Sequence, residues 1–251
     1  MSVISNNEIK HVKSLAMKKF RDLTGLFTVE GEKMVAEALS SSFHVEKIYR
    51  KDEIGNDAMT RITNLSSPSP VLAVVRKPSD IKLETPEDIS NSIADTGLYI
   101  GLDSIRDPGN LGTIIRIAEW FGAKGIFAAP DTVDIFNPKV VQATMGAIFR
   151  VPFHYCNLET VAGIMSGRGG KVYGTFLDGE NIYESELETG LASPVMFITG
   201  NEASGISSSV ERHVSGRLYI PPYPANDPGS ESLNAAVATA VTIAEFRRRV
   251  R

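Results

Sequence analysis

From residue 97 onward the chain alternates two kinds of apolar pattern. Runs of strand-forming residues at 98–102, 125–129, 171–177, 195–199 and 217–220 are separated by helical patterns at 110–121, 137–145, 157–166 and 232–249. Strands that alternate with helices are joined by crossovers, so the pattern predicts an α/β fold: a mostly parallel sheet with helices on both faces. A chain of 251 residues with 42% hydrophobic residues can bury a sizeable core, in one large domain or two small ones.

The amino-terminal third reads as a smaller α/β module. After an initial helix, "LFTVEG" and "VEKIYR" predict strands around a helix over "EKMVAEALSSS", and a short helix then leads to a strand over "PVLAVV". Residues 77–96 are polar, contain two prolines and lack apolar periodicity, which predicts a connection between domains. The expected division is therefore an amino-terminal domain over 1–90 and a second domain over 97–251.

Composition and motifs exclude several function classes. The single cysteine, Cys156, rules out an intramolecular disulfide, and "MSVISNNEIK" lacks the apolar core of a signal peptide, which points to the cytoplasm. The longest apolar run, "LNAAVATAVTIAEF", is shorter than the roughly 20 residues that span a bilayer, so no membrane role is expected. The histidines at 11, 44, 154 and 213 lack metal-ligand spacing, no G-x-S-x-G elbow occurs, and His154 with Cys156 reads as packing. The formal net charge is −4, yet "KHVKSLAMKKFR" carries Lys10, Lys13, Lys18, Lys19 and Arg21 without an acid, and the chain closes on "RRRVR". Such runs are either solvated helix faces or sites for an anionic partner.

Three strand-end segments carry the chemistry. In "DPGNLGTIIRIAEW" only Gly109 and Gly112 are present where a dinucleotide loop needs three glycines, although Asp131 lies near the position of a ribose-binding acid; no G-K-[ST] phosphate loop occurs. Asn110 stands where a helix cap or a cleft-facing amide is expected, and Arg116 lies on the following helix. The second segment, "MFITGNEASGIS", places Gly200 and Glu202 at the end of a strand, and the third, "LYIPPYPANDPGSESLNAAVATAV", leads through a Pro-rich loop into a helix that Ser230 or Ser232 could cap.

Together these segments resemble the three motifs of the SpoU (TrmH) family of RNA 2′-O-ribose methyltransferases, of the SPOUT class. "DPGNLGTIIRIA", "ITGNEASGIS" and "IPPYPANDPGSESLNAAVATAVTIAEF" match in order and spacing over about 97–250, and the amino-terminal part resembles the small RNA-binding domain of members that act on ribosomal RNA. The resemblance implies S-adenosylmethionine as cofactor, a carboxyl-terminal trefoil knot that patterning alone would argue against, and a homodimer pairing through the 110–121 and 232–249 helices. It implies cofactor contacts at Leu177, Thr199, Gly200, Ile220 and Leu233, and catalytic or substrate-binding roles for Asn110, Arg116, Glu202, Ser232 and Asn234. The substrate implied is ribosomal RNA, with transfer RNA, or a catalytically inactive RNA-binding protein of the same fold, as alternatives. RNA contacts are expected at Lys10, Lys13, Lys18, Lys19 and Arg21, and no metal. Pro222, where the family usually has Met, and an extended loop after it depart from the third motif. The arginine at position 116 is proposed in the family as a base; a guanidinium pKa above ~12 argues instead for gripping phosphate and stabilising alkoxide charge.

Overall fold

A computed structural model describes residues 4–79, 81, 83–224 and 232–250. The elements run α1 (Asn6–Ser14), α2 (Lys18–Thr24), β1 (Leu26–Glu30), α3 (Glu32–Leu39), β2 (Val45–Arg50), α4 (Lys51–Ile54), α5 (Asn56–Ile62) and β3 (Val71–Arg76). There follow α6 (Pro86–Ser92), β4 (Gly97–Leu102), α7 (Pro108–Trp120), β5 (Ile126–Ala128), α8 (Pro138–Thr144), β6 (Phe153–Tyr155), α9 (Leu158–Gly167), β7 (Lys171–Asn181), β8 (Pro194–Thr199), α10 (Ser208–Glu211), β9 (Gly216–Tyr219) and α11 (Ala235–Arg248). They form two compact units, one comprising the chain up to residue 80 with Asp134–Arg150, the other Ile81–Val133 with the chain from Val151 onward.

The first unit is built on an antiparallel sheet in the order β1-β3-β2. Segment 134–150, read in sequence as part of the second domain, packs here for a reason visible in its side chains. Phe136 meets Phe27 at 4.7 Å, Phe149 meets Phe43 at 5.1 Å, and Arg150 pairs with Glu37. At the end of β1, buried Glu30 accepts hydrogen bonds from the Thr63 hydroxyl and from the Asn64 amide nitrogen at 2.8 Å, tying the strand to the chain beyond α5.

The second unit is the expected parallel sheet, with strand order β6-β5-β4-β8-β7-β9. Alternation along β8 sends Met196 and Ile198 into one apolar layer with α9, while Phe197 stacks on Phe246 of α11 on the other side. The connection over 77–96 is not featureless. Thr85 and Asp88 form a capping box, Pro86 starts α6, and Ile89 and Ile93 are buried in the α9 layer. Strand β6, too short to stand out as an apolar run, joins the sheet at its edge beside β5 and carries His154.

Candidate active site

Successive strands are added to one side of β4, and β8 lies on its other side, so the crevice beyond the carboxyl ends of β4 and β8 is where strand order reverses. The loops after these strands are sewn together there. Asp103 N donates to Thr199 O at 3.0 Å, the Asp103 carboxylate accepts from Ser207 N at 2.7 Å, and Asn201 Nδ2 donates to Ser104 O at 2.8 Å. Ser104 stands at φ 62°, a left-handed conformation unusual for a residue with a side chain. Asn201 Oδ1 also accepts from Ala203 N at 2.9 Å and Ser204 N at 3.1 Å, folding the turn that presents Glu202.

Asn110, Glu202 and Asn234 form one hydrogen-bonded chain. The cap of α7 is Asp107, whose carboxylate accepts from Asn110 N at 2.7 Å, and not Asn110 itself. Asn110 thereby occupies the first turn with its amide available: Nδ2 donates to Glu202 Oε1 at 2.7 Å, and Oδ1 accepts from Asn234 Nδ2 at 2.8 Å. The cap of α11 is Asn234, in place of the expected serines; its Oδ1 accepts from Ala236 N at 3.0 Å and Val237 N at 3.3 Å. Backbone N–H groups can only donate, so the Asn234 oxygen must face the helix and its nitrogen must face Asn110. That orients Asn110 in turn, and the chain of donors ends on the Glu202 carboxylate. Arg116 lies exposed on α7 and Ser232 exposed just before the α11 cap; among the described residues neither is hydrogen-bonded to this chain.

The expected cofactor residues gather at the same end of the sheet. Leu177 is 67% exposed, in an excursion of β7 between Thr175 and Glu180, both of which pair with Leu218 of β9. Ile220 follows β9 half-buried, and Leu233 is 50% exposed before α11. Gly200 and Thr199 also have roles within the fold itself. A Cβ on Gly200 would lie 2.3 Å from Gly205 C and 2.4 Å from Ile206 N, so the closure of its own loop requires a glycine there. Thr199 is buried, and its hydroxyl lies 3.0 Å from that of Thr239, which itself donates to Ala235 O; with that proton committed, Thr199 is the donor. The Thr199 side chain is thus a link to α11, which leaves only its backbone for a ligand. The part of the third-motif loop over 225–231, Ser230 included, lies outside the described residues.

The cationic segment divides. Lys10 and Lys19 are exposed, Lys13 Nζ donates to Thr63 O at 2.7 Å, and Lys18 pairs with Asp22. Arg21 is 2% exposed and makes four hydrogen bonds, to Asp134 Oδ2 at 2.7 and 3.1 Å, Leu15 O at 2.9 Å and Ala16 O at 2.8 Å. It is a structural cation and cannot reach RNA. Among the described residues of the closing basic run the arginines have partners within the chain: Arg247 binds Phe121 O and Gly122 O, and Arg248 and Arg249 hold Glu245, whose pKa their hydrogen bonds lower to about 2. Asp131, which imitated a ribose-binding acid, accepts from the Ser104 hydroxyl at 2.8 Å and faces Arg106. The Cys156 thiol is pushed up to about 12 by burial and then by the Glu84 charge, which leaves it inert at neutral pH. His154 Nδ1 lies 2.6 Å from Glu84, with its ring stacked on Phe127.

Sequence reasoning missed Asp103, Ser104 and Asn201. Their signal was position alone: an Asp-Ser pair ending β4 and an Asn directly before Glu202 after β8, where small polar residues build turns.

The fold and the site define a SPOUT-class α/β protein with a separate amino-terminal unit. The chain belongs to the SpoU rRNA methylase family, which it matches over residues 97–244, and residues 6–78 match the MRM3-like substrate binding domain. It is 32% identical to the 23S rRNA (guanosine(2553)-2′-O)-methyltransferase RlmP of Bacillus subtilis, covering 96% of both chains. Among solved structures, the AdoMet-bound rRNA methyltransferase of Sinorhizobium meliloti superposes with a TM-score of 0.85 at 28% identity, covering 100% of this chain and 98% of that one. A TrmH-family protein of Porphyromonas gingivalis superposes with a TM-score of 0.82 at 33% identity, covering 99% and 100%.

Proposed function

We propose that the protein transfers a methyl group from S-adenosylmethionine to a ribose 2′-hydroxyl of ribosomal RNA. The carrying observation is the donor chain Asn234–Asn110–Glu202 at the meeting of the β4 and β8 loops. Family membership and the relatives' activities support the same reading. The cofactor fits what the residues offer: exposed Leu177 and Leu233 with half-buried Ile220 supply apolar surface for an adenine at the ends of neighbouring strands. When bound, S-adenosylmethionine would supply an electrophilic methyl group to the ribose oxygen, with S-adenosylhomocysteine as the leaving group and the hydroxyl proton passing to water.

The chain's own residues hold the acceptor in line, which accounts for much of such a rate. Glu202, fixed through Asn110 and Asn234, keeps its second oxygen for a substrate hydroxyl or for a cation. Arg116 grips the adjacent phosphate and stabilises developing alkoxide charge, with Ser232 beside the α11 start as a further substrate contact. The amino-terminal unit captures RNA. We further assign a trefoil knot to the carboxyl-terminal region, a homodimer and a cytoplasmic location. The dimer is supported by exposed apolar residues on the two helices expected to pair, Trp120 at 85% on α7 and Val237 at 48% on α11.

The test is transfer of tritium from labelled S-adenosylmethionine to ribosomal RNA, followed by mapping of 2′-O-methyl positions. A protein that binds the cofactor but labels no RNA contradicts the assignment. Sedimentation at micromolar concentration tests the dimer; a monomer removes it.

A further inference from the structure

The turn between α1 and α2 leaves an open groove of about 450 Å³ on the first unit. Its apolar surface comes from Ile9, half-exposed Met17 and Phe20, and its charge from Lys10, Lys13 and Arg61; no carboxylate lines it among the described residues. The construction follows from sequence. Lys10 and Lys13 are one turn apart on α1, Met17 adopts an extended conformation (φ −96°, ψ 132°) to start α2, and α5 carries Arg61. Lys13 gives one donor to Thr63 O and Arg61 one to Asn6 Oδ1 at 3.0 Å, and a lysine has three donors and an arginine five.

We infer that this groove takes an unstacked base of single-stranded RNA, the base lying against Phe20 and Met17 while Lys10, Lys13 and Arg61 hold the flanking phosphates. An aromatic ring and a thioether inside a ring of cations complement a nucleotide, whose face is apolar and whose backbone is anionic. A purely apolar partner would leave three cations to be desolvated without compensation. The inference rests on the RNA-methyltransferase reading and adds to it a place of capture, independent of Arg21.

Deleting the amino-terminal residues would strip Phe136 and Phe149 of their partners, so the experiment uses the full chain with point substitutions. Fluorescence anisotropy compares a labelled oligouridylate of about ten nucleotides with an abasic oligomer of equal length, across a salt series. The wild type should prefer the uridylate. Met17→Ala and Phe20→Leu should each lower uridylate affinity by about fivefold or more without changing the salt slope, because they remove stacking surface only. Lys10→Ala combined with Arg61→Ala should flatten the slope of log affinity against log salt by about 1.4, two contacts at ~0.7 each. Phe20 is half-buried and its variant could unfold; Met17 is exposed, so its variant alone still decides. Equal affinity for the abasic oligomer, or unchanged affinity in Met17→Ala, overturns the inference and leaves the groove to some other macromolecule. Tritium transfer to ribosomal RNA by the wild type is measured alongside. Transfer that is indifferent to every groove variant sinks the groove while the function stands, and absence of transfer to any RNA sinks the function.

Discussion

Adding one methyl group at Gly200 separates two explanations of why a glycine stands there. If the glycine makes room for a ligand, Gly200→Ala leaves the free protein untouched and weakens only cofactor binding. If it closes the loop, the free protein itself is destabilised. The new Cβ would fall 2.3 Å from Gly205 C, 2.4 Å from Ile206 N and 2.5 Å from Gly205 O, whereas carbon atoms prefer about 3.5–4.0 Å. More than ~1 Å of overlap must be relieved by backbone, because no flexible side-chain end is among these neighbours. That backbone is pinned by Asn201 N to Gly205 O at 3.0 Å, Gly205 N to Asn201 O at 2.9 Å and Ser207 N to Asp103 at 2.7 Å. Overpacking costs about 1–3 kcal/mol, and opening the turn loses hydrogen bonds worth about 1 kcal/mol each, so about 3 kcal/mol is expected. For a protein of this size that lowers the midpoint of thermal unfolding by roughly 6–12 °C. Circular dichroism on the ligand-free variant measures it, with calorimetric titration of S-adenosylhomocysteine beside it. Gly163→Ala is the control: its Cβ meets nothing within 4 Å on an exposed turn of α9, and the change should stabilise by about 0.5–1 kcal/mol. A Gly200→Ala protein that melts with the wild type and loses only cofactor affinity refutes the loop-closure argument.

Three further outcomes follow from the side-chain geometry. Asn110→Asp keeps the shape but sets a second carboxylate against Glu202 in place of a 2.7 Å donor, so methyl transfer at neutral pH should fall at least tenfold and recover partly as acid protonates the pair; activity within twofold of wild type would contradict the relay. Arg21→Met strands Asp134 and two carbonyls, which should cost about 3–5 kcal/mol in urea unfolding; a loss below about 1 kcal/mol would mean the buried pair is dispensable. Glu245 is held near a pKa of about 2 by Arg248 and Arg249, below its ordinary 4.5, so its stabilisation is complete above pH ~4.5 and is lost as pH falls toward 2. Glu245→Gln should remove that part of the acid lability, seen by comparing urea midpoints at pH 3 and pH 6; identical acid losses in both proteins would show that the carboxylate carries none of it.

The sequence was most informative where a pattern repeats along the chain. Five of the six parallel strands were visible as apolar runs, most plainly β4, β5 and β8, which are buried along almost their whole length because both faces of the sheet are covered there. Strand β6 was hidden by its brevity, and α6 by a seven-residue length in which only Ile89 and, just beyond its end, Ile93 mark a buried face. The grouping of 134–150 with the first unit depends on Phe136, Phe149 and Asp134 finding partners about a hundred residues away, which no local pattern encodes. Charge misled for a related reason. Arg21 and the terminal arginines read as anion-seeking, yet their partners are carbonyls and carboxylates brought close only by folding. The caps shifted by two or three residues, from Asn110 to Asp107 and from Ser232 to Asn234, because several capping residues stand together and only the turn geometry chooses between them.

Those two shifts are what make the site possible. Were Asn110 the cap of α7, its oxygen would be turned to backbone N–H groups; with Asp107 in that role, the Asn110 amide is left to bridge two other segments. Asn234 does cap its helix, and that duty fixes the direction of its amide without any help from the substrate. One helix start therefore supplies orientation and the other supplies a free bridging group, and the order passes to Glu202 through hydrogen bonds of 2.8 and 2.7 Å. Because the three residues sit on the first turn of α7, the β8 loop and the start of α11, a displacement of any one of these segments moves the carboxylate. On the proposed function, the precision demanded by an in-line transfer is met by coupling three separate chain segments rather than by burying the acid, since Glu202 is exposed.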